Sequence, residues 1–266
     1  MSVTLTQLRQ ELGTDLAILA HHYQHDSVVR HADHVGDSLE LARKAITLEA
    51  RHIVMCGVYF MAESVDLLVQ DPKRAYIPES LADCVMSEMA PAPLVERIHA
   101  TLSAGGRRII PLAYVNTSAA IKALCGRHGG SVCTSANAET MLRWALKQAE
   151  QVDENGQTGA VLFLPDKNLA LNTANTLGIP EEERVLLDVR GQGAQLPKAS
   201  NARLLIWPGC CAVHARIRPR HCEEALALHP QARLAVHPEC APQVVGYAHV
   251  AGSTSRIIAY TRELAE

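Results

Sequence analysis

An α/β architecture of three similar αβα sandwich units, each on a parallel sheet in a pseudo-threefold arrangement, follows from two features of the sequence. Short apolar runs alternate with longer helical stretches along the chain, and one order of these elements recurs. The strand-like runs are LAILA, HIVMCGV, RRIIPLAYV, GAVLFLP, ARLLIW and RLAVHP. The helical stretches between them include DSLELARKAITLEA and AETMLRWALKQAE.

The first copy opens with LAILA, which runs into His21, His22 and Tyr23. Gly36, Asp37 and Ser38 then start a helix, IVMCGVYFMAE supplies a second strand and helix, and YIPES leads to Cys84. The second copy keeps this order. RIIPLA runs into Tyr114, Val115 and Asn116, Thr134 to Asn137 start a helix, GAVLFLPDKNLA follows, and LLIWPG ends at Cys210 and Cys211. The third starts with RLAV, His237, Pro238 and Glu239, reaches Gly252 to Ser255, and continues into a helix. Its second strand and closing cysteine are not in the sequence, so the units expected are 1–90, 91–212 and a partial third at 213–266. The longest polar interruption, 188–202, reads as a surface loop from its Gly, Pro, Gln and Ser.

Composition narrows the class of function. With 266 residues, 48% of them hydrophobic and 20% charged, the chain can bury a sizeable core, and nothing in it reads as disorder. A formal charge of -3 without long runs of one sign gives no footprint for nucleic acid or a membrane surface. Neither a leader-like start nor an apolar run of transmembrane length is seen, so a cytoplasmic address is expected. Cysteines stand at Cys56, Cys84, Cys125, Cys133, Cys210, Cys211, Cys222 and Cys240. They form no C-x-x-C pair, which excludes zinc-ribbon and thioredoxin readings.

In α/β units, ligands gather beyond the carboxyl ends of the strands, so the polar strand ends should converge. GDS, TSAN and GSTS offer small residues, backbone N–H groups and a positive helix end, which suit a carboxylate or phosphate. The same residue types also cap helices without binding anything. His21, His237 and Glu239 fall where strands end. His237 and Glu239, two apart, would face one side of an extended backbone. Tyr23 and Tyr114 add phenols able to move a proton. His25, His31 and His34 read as a solvated loop and helix face, since no zinc-type spacing such as H-E-x-x-H links them. A zinc hydrolase built on these histidines is the weaker alternative. Cys84 and Cys211 each close a repeat, and thiolates that meet only in the fold can hold an iron–sulfur cluster. By position alone Cys210 would serve as well as Cys211. Cys56, Cys125 and Cys133 read as packing, and Cys222 and Cys240 stay open.

The segments HHYQ, GDSLELA, GVYFMAE, YVNTSAAIKA, CTSAN, PDKNLA, PGCCAVH, HPEC and GSTS resemble the quinolinate synthase family in order and spacing, over nearly the whole chain. The resemblance implies three α/β domains around a [4Fe–4S] cluster with three cysteine ligands and one open iron. It also implies condensation of iminoaspartate with dihydroxyacetone phosphate to quinolinate on the way to NAD, with a functional link to an L-aspartate oxidase or dehydrogenase. Carried over by motif, Cys84 and Cys211 are cluster ligands, and Tyr23, His237 and Glu239 carry the proton chemistry. His21, Tyr114, Asn116 and His214 line the pocket, Ser38, Ser135, Ser253 and Thr254 bind anions, and Asp37 fixes the first anion turn. Family members continue past the GSTS helix to a third cysteine ligand, whereas no residue after Thr254 here is a cysteine. The expectation is therefore an incomplete ligand set, for which Cys222 or Cys240 would have to substitute. The alternative is a truncated or split family member that binds anions without turnover by itself.

Overall fold

The computed structural model describes residues 4–150, 152, 158–189 and 202–265. The loop expected at 188–202 falls outside the described residues from 190 to 201. Two compact units are formed, Met1–Cys84 and Val85–Glu266.

In the first unit the order is α1 (Leu5–Leu12), β1 (Leu16–His21), α2 (Asp26–Val29), β2 (His34–Gly36), α3 (Ser38–Thr47), β3 (His52–Cys56), α4 (Tyr59–Leu68) and β4 (Arg74–Tyr76). The four strands make one parallel sheet in the order β2-β1-β3-β4. β1 is buried on both faces, as expected of a central parallel strand, which explains why LAILA is an unbroken apolar run. Leu41, Ala42 and Ala45 of α3 and Phe60, Met61 and Val65 of α4 pack with Leu19, Ile53 and Met55 into its core.

The second unit continues with α5 (Val85–Glu88), α6 (Ala92–Leu102), β5 (Ile109–Tyr114), α7 (Ala119–Arg127), β6 (Ser131–Cys133), α8 (Ala138–Ala149), β7 (Ala160–Leu164), α9 (Lys167–Thr176), β8 (Arg184–Leu186) and β9 (Leu204–Ile206). These strands form a parallel sheet in the order β6-β5-β7-β9-β8. β5 and β7 are buried throughout, and Trp207 and Phe163 are among the largest fully buried side chains. Each large apolar side chain so buried stabilises the fold by about 1.5–3 kcal/mol relative to exposure. The Trp207 indole N–H, which would otherwise be stranded in that core, donates to the Met89 carbonyl at 2.7 Å.

The unit ends with α10 (Pro219–Leu228), β10 (Ala235–Val236), α11 (Pro242–Val245), β11 (Val250–Ala251) and α12 (Thr254–Ala265). β10 and β11 pair in parallel as a third, two-stranded sheet. Cys222, Cys240 and Val244 form a small core beneath it, so the two cysteines left open by the sequence are packing residues in this structure.

The repeat is visible in the topology. β1-α2-β2-α3, β5-α7-β6-α8 and β10-α11-β11-α12 are the same arrangement, with the first strand paired in parallel to the second and the second leading to a hydroxyl-rich helix start. The second strands, two or three residues long, carry no apolar run and are not evident from sequence. His34 is one consequence: it is not on a solvated loop or helix face but begins β2, half-buried and paired with Leu19.

Candidate active site

In the first unit the predicted residues gather at the carboxyl ends of β1 and β2. His21 ends β1 and is 6% exposed. Its Nδ1 accepts the Tyr23 N–H at 3.3 Å, and their rings lie 4.7 Å apart. Burial lowers the imidazole to about 4, so His21 is neutral at physiological pH. Tyr23 itself is exposed. Asp37 caps α3 in a reciprocal capping box, its N–H donating to Glu40 Oε2 at 3.2 Å, and Ser38 is buried in the first turn. His22 Nε2 stands 4.0 Å from Asp37 Oδ1. Cys84 is half-buried against the first core, its N–H bonded to Asp83 Oδ1 at 2.7 Å.

The second unit brings five predicted residues together. Tyr114 is the last residue of β5, Cys211 and His214 follow β9, and His237 and Glu239 follow β10. Ligand atoms of Cys211, His214 and Glu239 lie within 4.8 Å of one another. His214 Nδ1 is 2.7 Å from Glu239 Oε2 and His237 Nδ1 is 3.7 Å from the same oxygen, with the two imidazoles stacked at 4.9 Å. The His214–Glu239 contact is a short ion pair. Glu239 Oε1 is buried with no hydrogen-bond partner among the described residues.

His237 and Glu239 reach one another through a turn, in which the Cys240 N–H donates to the His237 carbonyl at 3.0 Å, rather than through the extended backbone expected. Asn116 follows β5 half-buried, and Ser135 is half-buried in a turn where the Thr134 N–H donates to Asn137 Oδ1 at 2.7 Å. Ser253 is buried, its Oγ accepting the Arg256 N–H at 3.4 Å, and Thr254 begins α12.

Electrostatics fix the protonation of this group. Burial alone would lower His214, but contact with Cys211 and Glu239 and their charges raise it to about 10. Burial opposes the Glu239 charge in turn, yet His214, His237 and Tyr114 outweigh it and hold the carboxyl below its usual range. Burial, followed by the negative charge of Glu239, keeps the Tyr114 phenol neutral, well above its ordinary pKa. At neutral pH the site therefore offers a carboxylate acceptor beside two donors, an imidazolium and a phenol.

A set of residues missed at the sequence level holds this site. Asp166, fully buried, accepts the Cys211 N–H at 2.9 Å and the Leu169 N–H at 2.7 Å. Burial and the nearby Glu239 raise it to about 7 against the pull of its backbone donors. Asn168 and Asn172 of α9 bond the backbone of residues 238–240. A readable signal existed in PDKNLALN, where asparagines at i and i+4 lie on the buried face of a helix.

The donor chemistry also sorts the cysteines. Cys125, Cys133 and Cys240 are buried, and burial raises Cys125 to about 12, Cys240 to about 11 and Cys133 further. Thiols so disfavoured as thiolates are poor metal ligands, whereas Cys84, Cys210 and Cys211 are half-buried in loops. The half-buried Cys211 thiol, with the buried Glu239 carboxylate beside it, fits one ligand position of an iron–sulfur group.

Fold and constellation together define an α/β enzyme whose acid–base groups and a metal-competent thiol converge beyond the ends of parallel strands. A family model described as "Quinolinate synthetase A protein" matches residues 4–266. Quinolinate synthase of Acidobacterium capsulatum is 41% identical over all of this chain and 70% of its own length. That of Rhodopirellula baltica is 39% identical over 94% of the chain and 66% of its own length, and that of Halalkalibacterium halodurans 42% over 96% and 68%. The chain belongs to the quinolinate synthase family, enzymes of NAD biosynthesis, and spans 66–70% of the length of these relatives. No helix among the described residues is long and apolar enough to cross a membrane.

Proposed function

We propose that this chain serves the condensation of iminoaspartate with dihydroxyacetone phosphate to quinolinate, with release of phosphate and water. The observation that carries the reading is the group of half-buried Cys211 and His214 with buried Glu239, with Tyr114 and His237 against its carboxylate. Cys84 and Cys211 would hold a [4Fe–4S] cluster, which when bound supplies a Lewis-acidic iron to a substrate oxygen. Glu239, kept ionised by its neighbours, takes a proton from substrate carbon or nitrogen. His214, kept charged, and Tyr114, kept neutral, donate to a departing oxygen. Tyr23 and His237 share that proton traffic with Glu239. His21, neutral and buried, and Asn116 offer hydrogen bonds to substrate. Ser38, Ser135, Ser253 and Thr254, at helix starts, receive carboxylates or phosphate, with Asp37 shaping the first turn. The units 1–90, 91–212 and 213–266 would each contribute one such start. An L-aspartate oxidase or dehydrogenase would supply the imine, and the enzyme would work in the cytoplasm.

A second reading is a family member that binds anions at the helix starts carrying Ser38, Ser135 and Thr254 without turnover by itself. One experiment separates the two. Anaerobic iron–sulfur reconstitution of the chain should give broad visible absorbance, weakened by Cys84→Ser or Cys211→Ser, and quinolinate should form from the two substrates. Colourless protein that binds anions but makes no quinolinate selects the second reading.

A further inference from the structure

Helix α9 is in contact with both loops that carry the acid–base centre. Asp166, its N-cap, divides its carboxylate: Oδ1 accepts the Leu169 N–H at 2.7 Å within its own helix, and Oδ2 accepts the Cys211 N–H at 2.9 Å. The Lys167 N–H donates to the Gly209 carbonyl at 2.8 Å, so the backbone of 209–211 is held at two points. Asn168 and Asn172 project from one helix face towards the other loop. Asn168 Nδ2 donates to the Glu239 carbonyl at 3.0 Å, and Asn172 Nδ2 donates to the Pro238 and Cys240 carbonyls, both at 2.8 Å. Three consecutive carbonyls of the turn bearing Glu239 are thus held by two carboxamides of one helix.

Helix formation does not call for this arrangement. Asparagine is a weak helix former, and a buried carboxamide is costly unless bonded. Asn168 and Asn172 are 5% and 7% exposed, and Asn172 uses both amide hydrogens on the turn. A plain apolar residue at 172 would fill the helix face but leave the Pro238 and Cys240 carbonyls without these donors.

We propose that Asn172, supported by Asn168 and Asp166, is a positioning residue that holds Glu239 at its 2.7 Å approach to His214 and beside Cys211. The part Glu239 plays in turnover rests on the proposed function, whereas the clasp on its backbone does not.

The test compares Asn172→Asp, which keeps the shape and turns acceptor oxygens towards carbonyls, with Asn172→Ala, in the full reconstituted chain. Asn175→Ala is the control: Asn175 is exposed on the same helix, and its side-chain Oδ1 accepts from the Arg184 guanidinium, away from the 237–240 turn. Amide exchange in 236–241 should quicken at least about tenfold while exchange in 109–114 stays as in wild type. kcat should fall on the order of 10²-fold with KM within about twofold, and visible absorbance per iron should persist. Asn175→Ala should match wild type in all three. Unchanged exchange in 236–241, equal quickening in both segments, or kcat within about twofold of wild type would each overturn the proposal. If wild type itself makes no quinolinate, the proposed function falls, and the exchange rates alone decide whether the clasp holds.

Discussion

His214 Nδ1 lies 2.7 Å from Glu239 Oε2, an ion pair in which the carboxylate side chain is only 4% exposed. Such a pair is expensive to half-remove, because the surviving charge loses its partner without regaining water.

Glu239→Gln should therefore reduce quinolinate formation by about 10²–10⁴-fold, the range for loss of a general base. Its stability effect has a sign that pH reveals. His214 is raised above its unfolded value of 6.5 to about 10, so its contribution is full below 6.5 and is lost as pH rises through about 10. Glu239 is lowered from 4.5, so its contribution is full above 4.5 and is lost as pH falls further. Urea unfolding of wild type and His214→Gln should differ most between these two values and least above pH 10. A gap that widens as pH rises from 6.5 to about 10 would show that the pair does not act this way.

The neutral histidine of the first unit predicts the opposite slope. His21 is lowered from 6.5 to about 4 by burial, so the unfolded chain takes up its proton first as pH falls. Stability present above 6.5 should decline towards pH 4, by at most about 3 kcal/mol from this one group. His21→Asn should flatten that slope, whatever it costs at pH 7. Chemical denaturation at pH 7 and pH 5 measures it, and identical slopes for both proteins would refute the assignment.

Much of this was readable in the residues because strands β1, β5, β7 and β9 are buried on both faces and so appear as unbroken apolar runs. Their polar ends, at His21, Tyr114 and Cys211, could be placed for the same reason. The strands β2, β6 and β11 escaped notice because two or three residues carry no period. The asparagine pair of PDKNLALN was visible, but what Asp166, Asn168 and Asn172 do was not, because they act on backbone carbonyls and amides 45–71 residues away. The turn at 237–240 was misread as extended because a two-residue spacing is equally compatible with either geometry.

The cysteines should separate by position. Cys211 is in the acid–base group and Cys84 closes the first unit, while Cys125 sits in the core with no exposed surface. After anaerobic reconstitution, Cys84→Ser and Cys211→Ser should each lose most of the visible absorbance and bound iron. Cys210→Ser and Cys125→Ser should keep both, with Cys125→Ser showing only a lower melting temperature from a buried hydroxyl. Equal losses for Cys210→Ser and Cys211→Ser would leave the preference for Cys211 without support.

Two glycines give a last, opposed pair of expectations. A Cβ on Gly209 would stand 2.5 Å from the Pro165 carbonyl oxygen and 3.2 Å from Met89 Cβ, where backbone and core must move to admit it. Gly209 also pairs with Asp166 in an isolated parallel bridge beyond the strand ends, so that movement reaches the segment carrying Cys210 and Cys211. Gly209→Ala should cost about 1–3 kcal/mol, the usual range for overpacking. It should also weaken iron–sulfur absorbance more than its loss of stability explains. A Cβ on Gly126, within α7 and exposed, would meet nothing within 4 Å. Gly126→Ala should therefore stabilise by about 0.5–1 kcal/mol through helix propensity, and leave the absorbance alone. Thermal melts and reconstitution of both variants in parallel decide the matter. If Gly209→Ala melts and binds iron like Gly126→Ala, the close approach of 209 to Pro165 is not what holds the Cys211 loop in place.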